Sequence, residues 1–376
     1  MHKNNDVIIA GGGLAGLVAA IHLSRSGLNV TVIEKQPYPT HKVCGEYVSN
    51  EVLPYLRWLD ADPASLHPTH LTHFQFASLS GRVLQAQLPL GGFGLSRHAF
   101  DQFLMEKAIE SGCTLLEDQV TTFQHIGAST QVHTATNGVL EAPVVLGAYG
   151  KRTALDHQLQ RSFISRKSPW LAVKGHYTGS FPAHLVALYQ IRGGYCGLSQ
   201  VEEGRINACY LTSYAEFKKH KSIQGFQEEV LFQNEHLAMV LRGCRQASAP
   251  ISISQISFEK KELVKDHILM IGDAAGMIHP LCGNGMAMAI HSAKIAAECV
   301  IRFFQSGQQQ RAGLEQSYQQ RWRAQFNQRL FMGRFLSHLL EKETLAQWAM
   351  SSFVRMPFLL PHLIKRTHGQ PLSIAG

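Results

Sequence analysis

A chain of 376 residues, 45% hydrophobic and 16% charged, is long enough for a buried core and two domains. The formal net charge of +8 invites nucleic acid as a partner, but the basic residues are scattered and no nucleic-acid motif accompanies them, so none is expected. No run of about eighteen apolar residues marks a membrane span, no charged and apolar leader precedes the first strand, and seven cysteines without a CxxC pair suit a reduced, cytoplasmic protein.

Val7-Ile8-Ile9-Ala10 reads as a buried strand running into the turn Gly11-Gly12-Gly13-Leu14-Ala15-Gly16. An apolar helix from about Leu14 to Ser26 follows, then a second strand, Val30-Thr31-Val32-Ile33, ending in Glu34. Gly11 allows the tight turn, Gly13 lets the backbone approach a pyrophosphate, and Gly16 lets the helix pack close to the strand. The N–H groups of Leu14 and Ala15 and the positive end of the helix dipole then face the phosphates. Glu34 stands where a carboxylate accepts ribose hydroxyls. The alternative, a strand–helix–strand turn without a ligand, leaves the register of these features to chance.

The next segment, Pro39-Thr40-His41-Lys42-Val43-Cys44-Gly45-Glu46-Tyr47-Val48-Ser49, carries a thiol, a carboxylate and a phenol. Cys44, Glu46 and Tyr47 are candidate proton donors; equally, they suit an ordinary packed loop. His67, His70 and His73 recur every third residue, but Pro68 interrupts and no carboxylate or cysteine completes a ligand set, so they read as solvated loop histidines and no metal is expected. Thr72–Ala77 and Arg82–Leu88 form a hairpin candidate around Ser80-Gly81. Gly94-Leu95-Ser96-Arg97-His98-Ala99-Phe100-Asp101 starts a helix with an arginine able to grip an anion.

Leu171–Tyr177, Leu185–Gln190, Tyr195–Val201 and Arg205–Leu211 read as further strands, the last two joined by Glu202-Glu203-Gly204. Ile268-Leu269-Met270-Ile271-Gly272-Asp273-Ala274-Ala275-Gly276 is an apolar strand entering Gly-Asp. After it come Pro280-Leu281-Cys282-Gly283-Asn284-Gly285 and an apolar helix from about Met286 to Phe304. By its residues alone Asp273 reads as a helix N-cap, a role that a ligand contact does not exclude. Gln308-Gln309-Gln310 is a polar junction to a helical tail. Phe353–Arg366 is apolar with flanking positive charge. It fits either a helix packed on the body of the protein or a peripheral contact with an anionic bilayer.

The pairing of GxGxxG near the start with GDAAG…P…GxG near the end resembles the FAD-dependent oxidoreductase superfamily of aromatic-ring hydroxylases, geranylgeranyl reductases and flavin-dependent halogenases. The resemblance covers roughly residues 1–305. It implies an α/β fold: a Rossmann-type FAD-binding domain with an inserted antiparallel β-sheet substrate domain and a C-terminal helical region. The FAD domain would comprise 1–65, 95–160 and 255–305, the substrate domain 66–94 and 161–254, and the tail 306–376. It also implies FAD contacts at Gly11, Gly13, Leu14, Ala15, Gly16, Glu34, Lys35, Arg97, Val120, Gly147, Tyr149, Gly150, Gly272, Asp273, Pro280, Gly283, Gly285 and Met286.

The chain departs from that pattern in two places. Gly147-Ala148-Tyr149-Gly150 stands where the family has G-A-D-G, which puts ribose anchoring and reduction by NAD(P)H in question. Cys44-Gly45-Glu46 resembles the reductases' C-G-G segment, with Glu46 for the second glycine. The aromatic FPK-type segment of those reductases and the W-x-W of the halogenases are absent. The resemblance implies a hydrophobic small-molecule substrate and leaves three readings. An oxygenase acting on an aromatic, polyketide or isoprenoid substrate is favoured slightly. A reductase of carbon–carbon double bonds and a non-catalytic flavin protein are the others. The oligomeric state is open.

Overall fold

The computed structural model describes residues 5–308, 310–341, 364 and 366–374. In chain order its first half holds β1 (Val7–Ala10), α1 (Leu14–Arg25), β2 (Val30–Glu34), β3 (Tyr47–Ser49), α2 (Leu53–Trp58), β4 (Thr69–Ala77), β5 (Val83–Gly94), α3 (Arg97–Glu110), β6 (Thr114–Glu117), β7 (Val120–Ile126), β8 (Ser129–Thr134), β9 (Val139–Ala142), β10 (Val144–Gly147) and α4 (Ala154–Gln158). The second half holds β11 (Trp170–Thr178), β12 (Leu185–Ile191), β13 (Gly194–Gln200), β14 (Ile206–Ser213), α5 (Tyr214–Phe217), α6 (Ile223–Glu229), α7 (Glu235–Arg242), β15 (Arg245–Gln246), β16 (Ile251–Ile256), β17 (Val264–Lys265), β18 (Ile268–Met270), α8 (Gly285–Gln305) and α9 (Arg311–Glu341).

A six-stranded sheet in the order β17-β18-β10-β1-β2-β6 forms the first layer. It is parallel except for β17. Val7, Ile8 and Ile9 are wholly buried, each contributing roughly 1.5–3 kcal/mol of transfer free energy. Both faces of such a sheet are covered, so β1 is apolar throughout instead of alternating. Helix α1 is buried from Leu14 to Leu23, as expected of a helix apolar on every side; it lies against α3 and α8. The strands β7, β8 and β9 make a small antiparallel sheet beside this layer.

A nine-stranded sheet forms the second layer, its main path running β15-β11-β14-β13-β12-β4-β5-β3 with β16 paired to β11. Its neighbours are antiparallel apart from β4 and β12. Both hairpins expected from the sequence form, β4 with β5 and β13 with β14. His70 and His73 lie exposed on β4, not in a loop.

Register decides what this sheet shows to the first layer. Side chains alternate along a strand, so Trp170, Ala172, Lys174 and His176 share one face of β11. Across the ladder Ala172 pairs with Leu211 and Leu211 with Tyr195, while Lys174 pairs with Cys209 and His176 with Asn207. One end of the face is therefore apolar. Ala172, Leu188, Tyr195 and Leu211 belong to a buried cluster with Met277 and Ile364. The other end carries Lys174, His176 and Asn207, and it meets the loop after β2.

No helix among the described residues is long and apolar enough to cross a membrane. Of the Phe353–Arg366 segment expected to meet a bilayer or pack on the body, all but Ile364 and Arg366 lies outside the described residues.

Candidate functional site

The glycine turn builds an open cradle. Gly11 has a φ of +113°, and a Cβ there would meet Ala148 O at 2.5 Å. A Cβ on Gly16 would sit 2.0 Å from Gly11 O, so helix and strand pack as closely as glycine permits. Gly13 caps α1 without a side-chain bond, and the nearest atom to a Cβ there is Arg97 Nη2 at 3.6 Å. The start of α1 and a guanidinium thus face the same space, and a diphosphate fits both.

Arg97 is held by two parallel bonds to Asp101, each 2.7 Å, and Lys42 reaches the same carboxylate at 3.0 Å. Burial alone would lower the Arg97 pKa; Asp101 outweighs it and keeps the guanidinium charged. Ser96 caps α3 by accepting from Ala99 N at 3.1 Å. Its own N–H and hydroxyl donate to Glu202 at 2.8 and 2.6 Å. The turn of the β13–β14 hairpin therefore fixes the helix start that aims Arg97.

Glu34 ends β2 half-buried, accepting from Gly12 N at 2.7 Å and Gln36 N at 3.1 Å. Lys35 is exposed beside it, and Val120 is buried at the start of β7. Gly147 ends β10, and a Cβ there would collide with Met270 Sδ at 2.6 Å. Tyr149, between Gly147 and Gly150, donates to Met270 Sδ at 3.2 Å. Burial raises its phenol well above the ordinary range, so it is a neutral group where a family carboxylate stood.

Asp273 lies in a one-turn helix, Gly272–Ala274, whose capping residue is Ile271. The N-cap reading is thereby set aside. The turn is pinned from below by two cations that sequence reading passed over. Buried Arg161 donates to Ala274 O at 2.9 Å and pairs with Asp156 at 2.8 Å. Lys261 donates to Lys151 O and Asp273 O, both at 2.7 Å. Burial pushes the Lys261 pKa down to about 8. Pro280, Gly283, Gly285 and Met286 follow in the loop and first turn of α8, and Asn284 precedes the helix.

The loop after β2 brings Cys44 and Tyr47 against this second motif and turns Glu46 toward β11 and the start of α3. Cys44 Sγ is 3.2 Å from Met286 Sδ, and Glu46 N donates to it at 3.5 Å. Its carbonyl accepts from Asn207 at 3.2 Å, and Val43 O accepts from Lys151 at 3.1 Å. Glu46 has a φ of +54°, in the left-handed region that glycine adopts most readily.

The Glu46 carboxylate is completely buried. One oxygen accepts from Lys174 Nζ and, at 2.7 Å, from Arg97 N. The other lies 2.6 Å from His176 Nε2. Burial alone would raise its pKa; His176 and Lys174 outweigh that and hold the group below the usual carboxylate range. His41 stacks on His98 at 4.6 Å and meets the edge of His176 at 5.3 Å, leading from the surface to the cluster. Lys174 and His176 were not singled out from the sequence. The signal was there: a lysine and a histidine two apart in an otherwise apolar strand.

Tyr47 points elsewhere. Its hydroxyl lies 3.4 Å from His368 Nε2 in the C-terminal segment, and burial raises its pKa. The same segment closes on buried Glu51, which accepts from Gly369 N and lies 3.2 Å from Arg329. Asn284 donates to Thr367 O at 3.1 Å. Tyr47, itself on β3, thus links sheet and tail: its hydroxyl also donates to Gly91 O of β5 at 3.4 Å.

A family model described as FAD binding domain matches residues 4–332. A digeranylgeranylglycerophospholipid reductase of Methanothermobacter thermautotrophicus is 26% identical over 359 residues, spanning 86% of this chain and 85% of its own length. Among solved structures, the flavin-dependent brominase Bmp2 superimposes with a TM-score of 0.78 at 17% identity, covering 96% of this chain and 93% of that one. A geranylgeranyl bacteriochlorophyll reductase-like protein from Thermoplasma acidophilum gives a TM-score of 0.75 at 19% identity, covering 92% and 90%. At such identities the two structural likenesses show a shared fold.

Proposed function

We propose that this chain, which belongs to the FAD binding domain family, is an FAD-dependent reductase that saturates a carbon–carbon double bond of a hydrophobic substrate. The observation that carries the reading is the buried Glu46–Lys174–His176 cluster, two residues along the loop from Cys44, whose Sγ accepts from Glu46 N. Similarity to a digeranylgeranylglycerophospholipid reductase over most of both chains supports it.

FAD, when bound and reduced, would supply the hydride, with NAD(P)H as a candidate electron donor. The start of α1 and Arg97 would hold its diphosphate, Glu34 its adenosine ribose, and Asp273 its ribityl chain. The apolar face of the nine-stranded sheet keeps water out. A saturated product needs a proton on the second carbon. The Cys44 thiol stands 3.2 Å from Met286 at the α8 start, and the Glu46 cluster, through Lys174 Nζ and the His176 ring, can replace a spent proton.

The oxygenase reading places FAD and substrate alike but calls on no proton donor in the Cys44 loop, so the reductase is preferred. The test is product mass after reaction of a geranylgeranyl lipid or a conjugated enone with photoreduced enzyme. A gain of two hydrogens under argon is expected. A gain of one oxygen, in air only, would establish the hydroxylase instead.

A further inference from the structure

The apolar end of the substrate-facing sheet holds two polar groups with nothing to bond. Tyr195 is buried on β13, and its hydroxyl has no hydrogen-bond partner among the described residues. His279 is buried in the loop before α8, and its Nε2 is likewise unpartnered among them. The other ring nitrogen, Nδ1, accepts from Leu281 N at 3.4 Å, which assigns the proton to Nε2.

Burial pushes the His279 pKa down to about 4 and raises the Tyr195 phenol well above its ordinary range. At neutral pH, then, both are uncharged donors. The two rings lie 6.0 Å apart, and Trp170 and Phe258 adjoin His279 at 6.1 and 4.6 Å. Buried donors are rarely left unpaired, because each has given up its hydration for nothing. Two of them side by side in an aromatic wall indicate a place for an acceptor.

We infer that Tyr195 and His279 together bind one oxygen of the substrate, and that the substrate is a planar conjugated carbonyl compound, not an isolated isoprenoid alkene. The inference rests on the reductase reading. Hydride from reduced FAD enters the carbon β to the carbonyl. The π electron pair moves to the oxygen, where the two donors hold the developing enolate charge. A proton from the Cys44–Glu46 corner then enters the α carbon and the carbonyl re-forms. Two electrons and two hydrogens enter the double bond, and FAD is left oxidised. Tyr195 and Ala172 flank Leu211 in one ladder row, about 10 Å apart across two strand spacings, and Lys174 is the next residue on that face of β11, about 7 Å further along the strand.

The probe is 4-dimethylaminocinnamaldehyde, whose absorbance moves to the red when its carbonyl oxygen accepts hydrogen bonds. It is titrated into the oxidised, FAD-loaded protein, where no turnover occurs. A red-shifted bound spectrum is expected, with binding weakened about tenfold in Tyr195→Phe and again in His279→Asn. Tyr195→Phe keeps the ring, and His279→Asn keeps an acceptor for Leu281 N. Melting curves and the FAD spectrum confirm that each variant is folded.

No binding, binding without a red shift, unchanged affinity in both folded variants, or equal binding of the carbonyl-free 4-dimethylaminostyrene would overturn the inference. Those results leave the reductase reading standing, since that is judged by product mass under argon. A variant-sensitive red shift in an enzyme that adds no hydrogen would sustain the oxygen site and sink the reductase.

Discussion

His176 Nε2 and Glu46 Oε2 meet at 2.6 Å although 130 residues separate them in the chain. Both side chains are almost wholly shielded from water. The contact joins the loop after β2 to the polar end of β11, and so locks the two layers together where the proposed chemistry takes place.

Glu46→Gln preserves the shape and removes the charge that Lys174 and His176 share. Turnover should fall by about a hundredfold or more, the range lost with a positioned acid or base, while the FAD spectrum and photoreduction stay intact. Single-turnover oxidation of the reduced enzyme by substrate under argon measures it. A variant with ordinary turnover would assign the cluster a purely structural role. Cys44→Ala should likewise cut turnover without disturbing the flavin spectrum.

The same carboxylate predicts a pH dependence. Its pKa in the folded protein is depressed, so it contributes stability at pH values above the unfolded value, near 4.3. That contribution is lost as pH falls through the lower folded pKa. The wild type should therefore lose melting temperature below about pH 4.3 more steeply than Glu46→Gln. Parallel thermal melts between pH 3 and 7 would show it; superimposable slopes would contradict it.

Gly13→Val should abolish FAD uptake, because the side chain would fill the space between the α1 start and Arg97. Arg97→Lys keeps a positive charge but loses the fork that grips Asp101. Its FAD affinity should drop by about tenfold, the scale of a lost charge-assisted bond. Arg97→Ala is a poorer test. It leaves the buried Asp101 short of a partner, and breaking such a pair costs about 3–5 kcal/mol. Flavin fluorescence titration of the apoprotein reads each effect, and FAD uptake by Gly13→Val at wild-type affinity would refute the cradle.

Truncation before Ser351 tests the proposed membrane contact by liposome co-sedimentation. Equal lack of binding by the full chain and the truncation ends that idea. The truncation also removes Thr367 and Gly369 from Asn284 and Glu51, so it should lower the melting temperature whatever happens with lipid. Unpairing buried polar groups costs about 1–3 kcal/mol each. An unchanged melt would show that the tail does not brace the α8 start.

The strand–glycine–helix–strand unit was legible in the sequence because its determinants are local. Gly11 and Gly16 answer steric demands from atoms a few residues away or in the adjoining strand, and the apolar runs set the strand and helix periods. The Gly272-Asp273 turn was legible for the same reason, and the Glu202-Glu203-Gly204 turn gave away its hairpin. Glu46 was recognisable as a candidate. Its charge partners were not, because no local rule links a loop carboxylate to positions 174 and 176. Sheet register decided that: pairing β11 with β14 turned Lys174 and His176 to the loop side and set Trp170, Ala172 and Tyr195 as an apolar wall. A slip of one residue would have pointed the same lysine and histidine away from the site. The sequence by itself determined the cofactor-binding unit, whose glycines and apolar runs answer to backbone conformation and close strand–helix packing. Only the tertiary structure decided which distant charges would be buried together, because that depends on how two layers close on each other.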